Sequence, residues 1–522
     1  MRKYIKSAFA KMLVDRLFRT ALFGSALFAA LALSGGTPLA AVDFPNQGAD
    51  AVQHLYSPSL AGAGAFTTTT GAAAASAVNP AQGGEAQRIV FNFGYMGLAG
   101  LGADAESGFG NVVEAGLLVP TRYAVFGGSL RFIDSPFRES FPVGRVFSGN
   151  LNVAKEVFPR MSVGMGLNFG FGDEHMLPGW MLSGDLGFRW NTGRLGPFEN
   201  FTWAAVLRSM GRSWTPTWFT PAGGVSFDLL RIQGRDGGRD PLLINAQADL
   251  ELPSIVYFPW TSLIFKAGLR FEIAEMVNLS VSWPSGSGLN VRELVEGAAF
   301  PVVPSVGVGV SIPLPTGGRR VAGGRLPTDG DLTTDLAFRP LYDGVTAMGA
   351  GITWHVGVVD RRPPIITVNH TETIYFSPNN DGRADFLEFP IEISDERFVA
   401  SWSWEIRNEE DEIVRTIRNR ELRPQTINFR NFVGNLLAVR EHVEVPPTLR
   451  WDGIADTGEL APDGRYFFTI TAMDDSGNAI TTQVFDAVLR NTPPKIAIDP
   501  VDEAMRIFSP GGARDTITFV PR

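Results

Sequence analysis

The amino-acid sequence predicts an all-β protein: a transmembrane antiparallel β-barrel followed by a soluble β-sandwich. Three observations predict it: strict two-residue alternation, its recurrence over many segments, and a change of composition late in the chain. The alternation is plainest in MSVGMGLNFGFG, Met161 to Gly172, where Met, Val, Met, Leu, Phe and Phe alternate with Ser, Gly, Gly, Asn, Gly and Gly. A strand sends successive side chains to opposite faces, so one face here is wholly apolar and the other small or polar. The water-facing side of a soluble sheet is usually rich in charged residues and threonine, whereas glycine suits the inside of a crowded barrel.

The same pattern recurs from Arg88 to Gly357. LSGDLGFRW sets Leu182, Leu186, Phe188 and Trp190 against Ser183, Asp185 and Arg189. INAQADLE sets Ile244 and Leu250 against Asn245, Gln247, Asp249 and Glu251, and LIFKAGLRFEI sets Phe265, Leu269, Phe271 and Ile273 against Lys266, Arg270 and Glu272. Ionisable residues thus fall opposite the apolar face, where a wet lumen solvates them. The span holds about twelve to fourteen such segments, within the bacterial barrel range. A large soluble sandwich or propeller is the alternative reading of the same alternation. NTGRLGPFEN, GRSWTPTWFTP and PTGGRRVAGGRLPTDGDLTTDLAFRPLYDG are expected to be long loops or lumen inserts, with Trp214, Trp218 and Phe219 most simply an aromatic girdle.

Composition narrows the function. The 522 residues carry 45 Lys and Arg against 54 Asp and Glu, a net charge of −9, which disfavours nucleic acid as a partner. Cysteine is absent, so disulfides and thiolate metal sites are excluded. Residues 1–41 read as an export signal: Arg2, Lys3, Lys6, Lys11, Arg16 and Arg19 precede the apolar ALFGSALFAALAL, and TPLAAVDF offers cleavage after Ala40 or Ala41. The apolar stretch is short for a transmembrane anchor, the competing reading. Export, a barrel pattern and no later run of spanning length point to the outer membrane of a diderm bacterium, with outer-membrane lipid as a partner.

Between the signal and the first strand, residues 42–87 include SPSLAGAGAFTTTTGAAAASAVNPAQGG. Gly62, Ala63 and Gly64, the run Ala72 to Ala75, and Asn79-Pro80-Ala81 resemble the N-terminal stretch of the FadL-type fatty acid transporters and their PorV-like relatives, although Thr67 to Thr70 stand where an acidic pair is common in them. The resemblance implies a 14-stranded barrel over residues 88–360, with residues 42–87 a hatch inside it and Gly62, Gly64, Asn79 and Pro80 hatch or lumen residues. Small residues allow backbones to approach closely, and Pro80 is expected to end any helix. A flexible low-complexity leader is the alternative.

After ITWHVGVV the composition changes, and residues 363–491 read as a soluble β-domain. Trp451, Asp452, Gly453, Asp456, Gly458, Pro462, Gly464 and Tyr466 resemble the immunoglobulin-like domain of the flagellar hook cap protein FlgD, which implies an immunoglobulin-like sandwich. Residues 493–522 parallel its start: Pro493-Pro494 answers Pro363-Pro364, and Phe508-Ser509-Pro510 answers Phe376-Ser377-Pro378. They are expected to open a second, truncated repeat, as in a piece of a longer protein.

Chemistry-bearing motifs are few. In SPNNDGRAD, Asn379, Asn380, Asp381 and Asp385 are calcium-ligand candidates, but the same residues build ordinary turns. No other cofactor is expected. The five histidines lack ligand spacing, GFGDEHM with Asp173, Glu174 and His175 reads as a loop, and no phosphate loop, zinc motif or nucleophile elbow supports an enzyme. Two functions remain. One is FadL-like passage of hydrophobic small molecules such as fatty acids. The other is an anchor or PorV-like carrier that presents periplasmic immunoglobulin-like domains to a protein or cell-wall partner.

Overall fold

The computed structural model describes residues 57–492 except 62–64, 102–105, 139–142, 173–178, 214–219, 233–239, 253–262, 284–288, 291–303, 315–319, 322–323, 326–329, 342–343, 358–362, 369–371, 396–397, 421–425, 440–442 and 476. The expected signal segment and second repeat, the Asp173 to His175 cluster, and Trp214, Trp218 and Phe219 lie outside the described residues. Two compact units are present. One comprises the chain up to Asp360 together with Leu422–Glu441, and the other comprises Arg361–Glu421 and His442 onward.

The first unit is a closed antiparallel barrel of fourteen strands. These are β1 (Ile89–Gly100), β2 (Phe109–Pro120), β3 (Val125–Asp134), β4 (Arg145–Phe158), β5 (Met161–Gly172), β6 (Trp180–Leu195), β7 (Phe198–Arg212), β8 (Thr220–Ile232), β9 (Leu242–Glu251), β10 (Ile264–Ile273), β11 (Val277–Trp283), β12 (Ser305–Leu314), β13 (Gly330–Pro340) and β14 (Val345–Val356). Each pairs with the next, and β14 closes on β1 in register from Ile89↔Val356 to Gly100↔Val345. An even strand number brings both ends of the barrel to one rim, where Pro159-Arg160 and Gly196-Pro197 make two-residue turns.

Two loop expectations are corrected. NTGRLGPFEN is no long loop: β6 and β7 run through it to the Gly196-Pro197 turn, which Gly196 closes at φ +60°. The segment from Pro315 to Gly344 holds β13, whose Leu332, Leu336 and Phe338 alternate with Asp331, Asp335 and Arg339. Its charges face inward and made it resemble a loop. Outward positions along the long strands are mostly apolar, and Phe93, Leu151, Leu186, Leu250, Leu336 and Ile352 among them are exposed. Lipid solvates such a belt and water does not.

The second unit is built from β15 (Ile365–Val368), β16 (Ile374–Phe376), β17 (Leu387–Ser394), β18 (Val399–Arg407), β19 (Ile413–Arg420), β20 (Thr448–Trp451), β21 (Gly464–Asp474), β22 (Ala479–Thr481) and β23 (Phe485–Leu489). One sheet runs β15-β17-β20, and the other β16-β23-β21-β18-β19 with β22 on β21. Both contribute to one core, in which Phe389 meets Trp404 edge-on at 5.3 Å and Trp451 meets Tyr466 at 5.3 Å. The motif residues build its turns. Trp451 Nε1 donates to Ile454 O at 2.8 Å, Gly453 takes φ +77°, and Tyr466 OH donates to Pro462 O at 2.6 Å.

Asp463 accepts the amides of Asn491 (2.7 Å) and Thr492 (3.0 Å), and Asp486 accepts from Arg465 (2.7 Å) and Thr373 (2.8 Å). Bonds from Thr492 and Asn491 hold the Asp463 carboxyl below the usual carboxylate range, and those from Arg465 and Thr373 do the same for Asp486. A folded-state value lowered in this way stabilises the unit above the unfolded value, and the contribution is lost as pH falls through the folded value. Accordingly, Asp463→Asn and Asp486→Asn are expected to lower hydrogen-exchange protection of β21 and β23 at pH 7. The gap to the wild type should close as pH drops below about 4; a gap independent of pH would contradict this assignment.

Candidate functional site

The lumen is filled by the chain's own N-terminal segment. Residues Ser57–Ala61 and Ala65–Ala86 lie inside the barrel, and Leu60, Phe66, Thr67, Ala73 to Ala75, Val78 and Asn79 are buried. Locally they form one helical turn (Pro58–Ala61) and two 3₁₀ turns, Ala73–Ala77 and Pro80–Glu85. Asn79 sets the second of these, its Oδ1 accepting from the Ala81 amide at 3.0 Å. Pro80, expected to end a helix, also opens the next turn, since the first position of a turn has no amide bond to lose.

Glycines on the inner wall are the counterpart of this filling. A Cβ on Gly164 would lie 2.4 Å from the Pro80 carbonyl, and one on Gly187 would lie 2.1 Å from Asn79 Oδ1. Within MSVGMGLNFGFG, Gly164 is the glycine against which the Pro80-Ala81 backbone runs. Alanines act likewise, with Ala73 packed among Val90, Leu118 and Val125.

Polar bonds fasten the segment. Thr67 donates through its amide (2.7 Å) and hydroxyl (2.9 Å) to Asp249 on β9. Asn79 Nδ2 donates to Thr67 O (3.0 Å) and to Phe188 O on β6 (3.2 Å), while Gln82 Nε2 donates to Thr67 O at 2.9 Å. Asn152 Nδ2 donates to Ser76 Oγ (2.7 Å), and Arg189 pairs with Glu85 (2.7 Å). His355 Nε2 lies 2.8 Å from Gly71 O. Wall charges are paired as well: Arg131 with Glu114 at 2.7 Å, and both Arg208 (3.3 Å) and Lys266 (3.4 Å) with Glu251.

A cavity of about 90 Å³ remains beyond Ala77 and Val78, lined by Arg131, Asn150, Asn168, Asp185 and Arg208 among others. Beside it is an apolar wall of Met96, Leu98, Val112, Ile133 and Val146, filled by Phe137 from the β3–β4 connection. Met181 lines the cavity and packs on that wall. The site therefore offers adjoining polar and apolar surfaces at the far side of the plug.

Asn79 and Pro80 are buried within the segment that fills the lumen, while Gly62 and Gly64 lie outside the described residues. The bond of Thr67 to Asp249 and the contacts of Gln82 and Gly187 escape sequence reasoning, because nothing in one sequence pairs a threonine with an aspartate 182 positions away. The calcium-ligand candidates are turned onto their own loop. Asn379 Oδ1 accepts from the Asp381 amide (3.0 Å), Asp381 Oδ1 from Arg383 (2.8 Å), and Asp385 Oδ2 from Gly382 (2.8 Å). Asn380 takes φ +62°. Among the described residues, no group of three His, Asp or Glu is placed to hold a metal ion.

No family model and no curated protein matches the chain. Among solved structures, a triple mutant of the Rhodopseudomonas blastica porin is similar at 9% identity over 51% of this chain and 99% of that one, with a TM-score of 0.24. NanC porin is similar at 8% identity, 51% and 100% coverage and a TM-score of 0.21. Fibronectin(III)-like modules of Clostridium thermocellum CbhA are similar at 11% identity, 36% and 85% coverage and a TM-score of 0.14. These likenesses are slight, and the fold rests on the strand pairing itself.

Gly187→Ala places a methyl against Asn79 at a cost of about 1–3 kcal/mol. Exchange protection of the Asn79, Ala81 and Gln82 amides is therefore expected to fall about 5- to 150-fold, while the barrel still shifts on gels when heated. Gly223→Ala, whose Cβ would lie 3.5 Å from its nearest neighbour, should leave protection unchanged. Equal loss in both variants would contradict the contact.

Proposed function

We propose that the chain is a non-enzymatic outer-membrane barrel, FadL-like in plan, that passes hydrophobic small molecules such as fatty acids past its N-terminal hatch. The observation that carries this reading is how the hatch is held. Besides packing, its ties to the wall among the described residues are separate hydrogen bonds and the Arg189–Glu85 ion pair, each of which water entering the lumen can replace. Such a plug can shift in steps. The adjoining polar cavity and apolar wall fit an amphiphile, with an anionic head toward Arg131 and Arg208 and a tail along Met96, Leu98 and Ile133 where Phe137 now sits.

The reading of an anchor or PorV-like carrier has its own support. The Tyr466 hydroxyl bonds back to Pro462 O, as the tyrosine corner of immunoglobulin-like sandwiches does, and a domain of that kind suits binding a periplasmic protein or cell-wall partner. The segment Leu422–Glu441 leaves that unit and belongs with the barrel, which suits a barrel that carries cargo.

The chain has no native cysteine, so Ser76→Cys with Asn152→Cys can be bridged selectively by a bifunctional thiol reagent. Uptake of a fluorescent long-chain fatty acid into liposomes is expected to be saturable with the unbridged variant and to fall on bridging. No uptake from either form, with a folded barrel, would favour the anchor or carrier.

A further inference from the structure

The helix α1 (Phe429–Leu437) belongs with the barrel although its sequence lies between β19 and β20. Asn428 caps its start, with Oδ1 accepting from the Asn431 amide at 2.8 Å. Lys155 of β4 caps its end: Nζ donates to Leu436 O at 2.8 Å and to Ala438 O. A cation at a helix C-terminus is electrostatically favoured. Phe432 and Leu436 pack on Val157, Phe158 and Met161, the same trio on which Val163, Phe188 and Trp190 pack.

That docking patch is on the outside of the barrel. Val163, Phe188 and Trp190 share strand faces with the exposed Leu167 and Leu186, opposite the inward Gly164, Gly187 and Arg189. It also lies at the rim that holds both barrel termini, beside the Pro159-Arg160 turn. Tryptophans mark the same level: Trp190 pairs in register with Trp203, and Trp354 stands two residues before the end of β14. Trp203 and Trp354 are exposed outward, and outward tryptophans near a barrel rim mark the membrane–water boundary.

Only part of the helix's apolar surface is used. At about 100° per residue, Phe432 and Leu436 continue into a second stripe, Phe429, Val433 and Leu437, while Arg430, Asn431 and Gly434 fall on the polar side. Phe429 is 83% exposed, Leu437 57% and the preceding Ile427 58%. One half of a continuous apolar arc therefore rests on the lipid-facing wall, and the other half faces what that wall faces.

We propose that α1 is an interfacial helix that lies in the leaflet at the termini rim, with Phe429, Val433 and Leu437 among the acyl chains and Arg430 at the phosphates of anionic phospholipid. This rests on the reading of the barrel as membrane-spanning. The occupant is lipid because the stripe continues the barrel's lipid-facing surface at its tryptophan level, and because an apolar face beside a polar side bearing a cation, here Arg430, suits such an interface. Lys155 fits the same picture. A lysine on the outward face of β4 is costly at mid-bilayer and tolerated near the boundary, and here its ammonium is spent on the helix end.

Single-cysteine variants of the otherwise cysteine-free full chain test the proposal. Phe429→Cys, Val433→Cys, Leu437→Cys and Arg430→Cys would carry an environment-sensitive fluorophore in liposomes of phosphatidylethanolamine and phosphatidylglycerol, with spin-labelled lipid as quencher and Leu151→Cys as the mid-belt control. Probes at 429, 433 and 437 are expected to be quenched as the control is, and the probe at 430 to remain bright. A quenched control with unquenched probes at 433 and 437 overturns the proposal, whether those probes are wet or covered by protein. An unquenched control on a folded barrel instead overturns the membrane-spanning reading beneath it.

Discussion

Closure of the sheet is the constraint on which everything else depends. In hydrocarbon no water is present to satisfy a backbone amide or carbonyl, so a strand edge exposed to lipid costs several kcal/mol per group. The twelve-residue ladder between β1 and β14 removes that edge. Once the ring is closed, every strand must show one face to lipid and the other to the lumen, and alternation follows. Large apolar residues go outward, and the lumen receives what it can pair or pack.

The lumen then sets the chemistry. Glu114, Arg208, Asp249, Glu251 and Lys266 are buried, where unpaired charge is prohibitive, so they are bonded to one another, to Arg131 or to the lumen-filling segment. The hatch is less a separate object than the missing half of these interactions. Thr67 completes Asp249, Glu85 completes Arg189, and the Asn79-Pro80 backbone fills space that glycines leave open. The segment is held both by dispersed polar ties and by a small apolar cluster of its own, Leu60, Ala65, Ala72, Ala74, Ala75 and Val78.

Much of this was legible in the sequence because alternation is a local property. MSVGMGLNFGFG and LIFKAGLRFEI each declare their two faces. β13 was hidden since its inward face carries two aspartates and an arginine, and a short charged segment between glycines looks like a loop. The Asn191 to Glu199 stretch misled for the opposite reason, as Gly193, Gly196 and Pro197 suggested a long loop where two strands share a tight turn. What no local pattern discloses is pairing over distance: Thr67 with Asp249, Ser76 with Asn152, and Lys155 with the end of a helix 281 residues later.

Under the proposed transport function, conduction requires the lumen-filling segment to move. Conductance across a planar bilayer separates the alternatives. The intact chain is expected to be closed apart from brief openings, whereas the chain lacking residues 57–86 should conduct steadily. Steady conduction by the intact chain, equal to that of the truncated one, would mean that the segment does not close the lumen.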